Sequence, residues 1–177
     1  MTPQICVFLI VCLFISTYAV RVQKFIPKSE WDICFATVQN DLKTDQFSFA
    51  TLKECEEKAF SYGLSGKVCT GPFDNVSPKP KKGGELLASH KCNDLICPEK
   101  THRCAIGIVP VCCNKELEKM KKEGLAEKCP NGSKAAGVGL GKDFKVVVGQ
   151  TCGDLICGKT EKCVQVNKYF AKCCGAK

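Results

Sequence analysis

CNDLIC (92–97) and CGDLIC (152–157) are nearly the same cysteine-bounded hexapeptide, written twice, 60 positions apart. Carrying the comparison outward at that shift, Cys69 falls on Cys129, Cys92 on Cys152 and Cys97 on Cys157. Cys104 meets Cys163 at a shift of 59, and Cys112-Cys113 meet Cys173-Cys174 at a shift of 61. KTHRC (100–104) aligns with KTEKC (159–163). Six cysteines recur in order, closed each time by an adjacent pair, which is the pattern of a tandem duplication. Each unit runs to about 45 residues, too few to bury a sufficient core without covalent help. Cross-links can supply it by restricting the unfolded chain, about 3 kcal/mol for a loop of about 15 residues. Adjacent cysteines such as Cys112 and Cys113 point apart, so they are expected to bond to two different partners. Inside each hexapeptide, Leu95-Ile96 and Leu155-Ile156 read as a miniature core, and Asp94 and Asp154 as turn-formers. Spacing leaves all fifteen pairings of six cysteines open.

The compartment follows from the start of the chain. Every residue from Ile5 to Ile15 is apolar, and Thr17-Tyr18-Ala19 closes the run. That is the length of a signal-peptide core and too short for a bilayer, which needs about 20 residues. We expect a signal peptide over 1–19, although no Lys or Arg precedes the run. Its removal leaves fourteen cysteines, an even number at high density behind a secretory signal: Cys34, Cys55, Cys69, Cys92, Cys97, Cys104, Cys112, Cys113, Cys129, Cys152, Cys157, Cys163, Cys173 and Cys174. That reads as a disulfide framework in a secreted, extracellular protein. Zinc is the rival for paired cysteines, but the gaps here lack the two-residue spacing and the only histidines are His90 and His102. No metal, cofactor or second spanning segment is expected.

The formal charge is +8, with the lysines spread along the chain. Such a surface can attract acidic partners. Nucleic acid is not expected, because no stacking aromatics are interleaved with the lysines. His90 and His102 lie in lysine-rich stretches expected to be exposed, with no nucleophile in a recognisable context. No G-x-S-x-G, H-E-x-x-H or phosphate-cradling glycine loop occurs. The chain therefore offers no catalytic residue.

VVV (146–148) and CVQV (163–166) are β-branched, and YFAKC (169–173) follows an Asn167-Lys168 step, so short strands and a hairpin are expected. In IGIVPV (106–111), Pro110 demotes the second arm to an edge strand. NKELEKMKKEGLAEK (114–128) reads as a connector helix capped by Asn114 and ended by Gly124, with Leu117, Met120 and Lys121 on one face. Two loops, 72–84 and 130–141, carry the glycosylation candidates Asn75 and Asn131.

Cys34 and Cys55 stand outside the duplication. In FATLKECEEKAFSYG (49–63), Thr51 and Glu54 form a capping box. The stretch from Cys34 to Ala59 resembles the C-terminal half of a Kunitz-type proteinase-inhibitor domain. The 21-residue spacing of Cys34 and Cys55, Phe49, and the run Phe49-Ala50-Thr51 to Glu54-Cys55 carry the resemblance. It implies a Cys34–Cys55 bond. The departures are as clear: Leu42 and Ala59 occupy the places of the family's fourth and sixth cysteines, and the half bearing the inhibitory loop is absent. The duplicated units resemble the lustrin-like, CC-terminated repeats of secreted invertebrate proteins.

The expected fold is a small disulfide-rich one: signal peptide 1–19, a Kunitz-like remnant over 20–66 with a helix, a first cysteine-rich repeat over 67–113, a connector helix over 114–128 and a second repeat over 129–177, with short β-hairpins in the repeats. Two functions fit. One is a non-enzymatic extracellular binding protein related to serine-proteinase inhibitors, offering Lys79, Lys81 and Lys82 to a trypsin-like protease. The alternative is a structural, matrix-associated protein without inhibitory activity.

Overall fold

A computed structural model describes residues 21–38, 47–60, 68–72 and 76–176. The expected signal segment, Leu42 and Asn75 lie outside the described residues. Among the described residues, the fold is small and disulfide-rich, with mostly short strands and two helices held by seven disulfides.

The first two strands, β1 (Gln23–Lys28) and β2 (Ile33–Val38), form an antiparallel hairpin whose register runs from Gln23↔Val38 to Lys28↔Ile33. Its turn closes with the Trp31 N–H donating to the Lys28 carbonyl at 3.0 Å. Asp32 takes a φ of 53° there, a conformation that a short polar side chain tolerates. Helix α1 (Leu52–Phe60) starts at Thr51, whose Oγ1 accepts from the Glu54 N–H at 3.1 Å. The return arm of the expected capping box reaches Ala50 rather than Thr51: the Ala50 N–H donates to Glu54 Oε2 at 3.3 Å. Phe49 and Phe25 exchange backbone hydrogen bonds of 2.8 and 2.9 Å, which seats the helix start on β1.

Farther along the chain come β3 (Lys79–Pro80), β4 (Leu95–Ile96), β5 (His102–Ile106), β6 (Pro110–Asn114) and α2 (Lys115–Leu125). β7 (Gly137–Val138), β8 (Lys145–Val146), β9 (Val148–Gly149), β10 (Glu161–Asn167) and β11 (Phe170–Gly175) complete the order. One five-stranded sheet, β1-β2-β9-β11-β10, joins the first hairpin to the end of the chain. β2 and β9 pair in parallel at Ala36↔Gly149, while the sheet's other described pairings are antiparallel. Among the described residues, three further sheets are two-stranded ribbons, β3–β4, β5–β6 and β7–β8.

Alternation along the strands sends side chains to both faces of the large sheet, and both faces are covered. Ile26, Trp31 and Phe35 pack with Leu117, Val148 and Phe170 in one cluster; Phe25, Cys34, Ala36, Leu52, Leu155 and Ala171 form another. The Phe170 ring centre lies 4.8 Å from that of Trp31 and 5.2 Å from that of Phe35. Ring pairs at this separation add to the burial of their area.

The hairpin expected at the chain's end is β10–β11, with Lys168-Tyr169 as its two-residue loop. Asn167 shapes that loop by accepting the Tyr169 N–H at 3.1 Å. The VVV run does not make a single strand. Val146 pairs with Gly137, Val148 with Lys172, and the Val147 N–H between them donates to the Ala136 carbonyl at 3.1 Å. Pro110 opens β6, paired with Ile106, and is fully buried. Asn114 caps α2 by accepting from the Glu116 and Leu117 N–H groups at 2.8 and 3.3 Å. Gly124 does not end the helix, which runs on to Leu125. It is a point of close approach instead: a Cβ there would lie 2.4 Å from Phe170 Cγ.

Candidate functional site: the disulfide framework and its exposed turns

All fourteen cysteines among the described residues are paired, each bond joining a strand cysteine to one outside the strands. Cys34 in β2 bonds to Cys55 in α1. Between 69 and 113, Cys69 bonds to Cys113, Cys92 to Cys104 and Cys97 to Cys112. Between 129 and 174, Cys129 bonds to Cys174, Cys152 to Cys163 and Cys157 to Cys173. The order is first to sixth, second to fourth and third to fifth in both segments. Each adjacent pair bonds to two different partners because neighbouring positions of a strand face opposite ways. The Cα–Cα separations, from 5.0 Å for Cys69–Cys113 to 6.2 Å for Cys34–Cys55, lie in the ordinary range.

Each hexapeptide opens with a 3₁₀ turn, Cys92–Asp94 or Cys152–Asp154. The aspartates form these turns. Asp94 Oδ2 accepts the Lys91 N–H at 3.3 Å, and Asp154 Oδ2 accepts the Thr151 N–H at 2.7 Å and the Thr151 hydroxyl at 2.8 Å. Of the expected miniature core only the leucines are buried, Leu95 at 5% exposure against 53% for Ile96. Leu155 and Ile156 repeat the contrast. Consecutive residues of an extended segment face opposite sides, so one of each pair turns outward.

The backbone of the two hexapeptides is satisfied by different means. In the first, β3 pairs with β4, and the Lys81 N–H donates to the Asp94 carbonyl at 2.8 Å. In the second, the side-chain amide of Gln23 does both jobs. Its Nε2 donates to the Asp154 carbonyl and its Oε1 accepts the Ile156 N–H, each at 2.8 Å. Arg21 adds a bond to the Gly153 carbonyl at 2.9 Å.

Lys79, Lys81 and Lys82 therefore project from a clamped turn, closed by the Gly83 N–H donating to the Pro80 carbonyl at 3.1 Å. All three are exposed. Lys81 and Lys82 border a cleft of about 450 Å³ with Pro80, His90, Asn93 and Asp94. His90 Nδ1 accepts the Leu87 N–H at 2.9 Å. His102, expected at the surface, is buried in β5 with its Nδ1 2.8 Å from the Thr101 hydroxyl. Asn131 sits on an exposed turn: its Oδ1 accepts the Ser133 N–H and hydroxyl at 2.9 and 2.7 Å, and its Nδ2 donates to the Gly175 carbonyl at 3.2 Å. Among the described residues no group of three His, Cys, Asp or Glu side chains could hold a metal ion, and no helix is long and apolar enough to cross a membrane.

Two features escape the sequence reading. Lys172, within β11, is fully buried. Its ammonium donates to the carbonyls of Glu123, Gly124, Ala126 and Lys128, at 3.1, 3.3, 2.7 and 3.2 Å. It thus closes the C-terminal end of α2, where carbonyls lack partners and the helix dipole favours a cation. Burial pulls the Lys172 pKa below the ordinary lysine value. The second feature is the tip of β5–β6, where Ile106, Ile108 and Val109 are all exposed, Ile108 at 91%.

No protein-family model matches this chain, and neither a curated protein nor a solved structure matches it.

Proposed function

We propose that the chain is a secreted, non-catalytic binding protein related to serine-proteinase inhibitors. In this reading two lustrin-like, six-cysteine units of one plan follow a Kunitz-like remnant. The shared bonding order, first to sixth, second to fourth and third to fifth, carries the proposal. Such bonding holds short turns in place before a partner arrives, so little conformational entropy remains to be lost on binding. The Lys79–Lys82 turn fits this description, being clamped at its base and charged at its surface.

The second reading, a structural matrix protein, draws on the spread of the exposed lysines, which favours no single turn. A panel of trypsin-, chymotrypsin- and elastase-like proteases separates the two, with residual protease activity and cleavage of the oxidised protein both followed. The inhibitor reading expects stoichiometric inhibition of at least one protease. Survival of the protein with no inhibition of any protease overturns it and leaves the matrix reading.

A further inference from the structure

Asn131-Gly132-Ser133 is a motif to which the binding reading gives no task. An asparagine two residues before a hydroxyl, with no proline between them, is the acceptor triplet of N-glycosylation. Such triplets also arise by chance, so the surroundings decide whether one is used. Asn131 is exposed, on the turn that follows Cys129. Of the two candidate asparagines it is the one that lies among the described residues, and the inference concerns it alone.

Folding engages the very atoms that a glycosyl transfer needs. Asn131 Oδ1 accepts the Ser133 hydroxyl at 2.7 Å and the Ser133 N–H at 2.9 Å, and Nδ2 donates to the Gly175 carbonyl at 3.2 Å. The backbone is closed as well. The Gly132 N–H donates to the Cys129 carbonyl and the Cys129 N–H to the Ser133 carbonyl, each at 2.8 Å. Gly132 takes a φ of 83°, far from an extended strand and suited to a residue without Cβ. The Cys129–Cys174 bond and the Ala135↔Cys174 bridge hold the end of the chain, with Gly175, against this turn. An enzyme that recognises the triplet must grip both side chains and the backbone between them. In the folded protein each of these already has a partner.

We propose that Asn131 is N-glycosylated, and that the sugar is transferred while the Cys129–Cys174 bond is still open. In the transfer, Nδ2 bonds to the anomeric carbon of an oligosaccharide carried on a lipid diphosphate. The bond from that carbon to the diphosphate oxygen breaks, the diphosphate leaves with the electron pair, and one Nδ2 proton passes to a base. One N–H remains on the amide, enough for the bond to the Gly175 carbonyl, so the modified chain can still close. A bulky, hydrated group then stands on the turn beside the Cys129–Cys174 bond. The proposal rests on the secreted reading above and is independent of any protease.

The test expresses the full chain in a eukaryotic secretory host as wild type, Ser133→Ala and Ser133→Thr. Ser133→Ala keeps Asn131 and its bond to Gly175, and an unchanged disulfide map verifies that it folds. Expected is a wild type that loses mass with peptide N-glycosidase, in the peptide carrying position 131. Ser133→Ala should lack that glycan and Ser133→Thr retain it. Sugar-free protein is then offered, oxidised and refolded or reduced and alkylated, to a solubilised microsomal transferase with its lipid-linked donor. The reduced chain should be modified at Asn131 and the oxidised chain left bare. Secretion of a wild type unmodified at position 131, or a reduced chain that accepts no sugar there, overturns the site and leaves the secreted reading intact. Equal modification of the oxidised chain overturns the order of events. Retention of an unglycosylated wild type inside the cell overturns the secreted reading and this one together.

Discussion

Lys172 stands in a strand whose neighbours Ala171, Cys173 and Cys174 are all buried. Nothing in the written run YFAKCC distinguishes it from the surface lysines, because its partners are backbone carbonyls of residues 123–128, far away in sequence. The hexapeptides show a similar limit. Asp94 and Asp154 are legible as turn-formers, since that role is local. Which of Leu95 and Ile96 faces inward depends on the neighbouring ribbon. For Lys172 the consequence is measurable. Its folded pKa is lowered by burial, so the unfolded chain holds the proton more tightly. Stability should therefore rise with pH between the folded value and the unperturbed lysine value of about 10.4. Lys172→Met should abolish that rise and, by leaving buried carbonyls unpaired, cost about 2–3 kcal/mol near neutrality. Urea unfolding of the oxidised protein at neutral and alkaline pH checks both, and an unchanged alkaline slope in the variant would acquit Lys172.

At the scale of elements, legibility followed how local the deciding contacts were. The β10–β11 hairpin could be read because its β-branched first arm, the Asn167 turn and the return arm lie within fifteen residues of one another. α2 could be read from its cap and charge order, but the reason for Gly124 could not, since that reason is Phe170. Strand β9 is two residues long and owes its existence to β2 and β11 on either side; no pattern so short is readable. Gly124→Ala makes the point testable. Helix propensity alone favours alanine by about 1 kcal/mol. The added Cβ meets the Phe170 ring, which Trp31 and Phe35 hold in place. A net loss of about 1–3 kcal/mol in thermal or urea unfolding is expected from this overpacking; a gain would mean that the ring can move aside.

For the whole molecule, the number and spacing of the cysteines foretold a cross-linked fold. The pairing was not legible, because fifteen arrangements satisfy the same spacing. Digestion of the unreduced protein should yield peptides joining Cys69 to Cys113, Cys92 to Cys104 and Cys97 to Cys112, with the corresponding three from the later segment. Alkylation without reduction should label none of the fourteen; one labelled cysteine, or one bond in another order, contradicts the framework. The meeting of Ala36 with Gly149 has a further consequence, for assembly during synthesis. The first hairpin leaves the ribosome long before β9, the strand that flanks it, so Trp31 and Phe35 must face water until Val148 and Phe170 have been made. Contacts so distant along the chain close slowly. Side chains of this early hairpin are thus among the last to be packed.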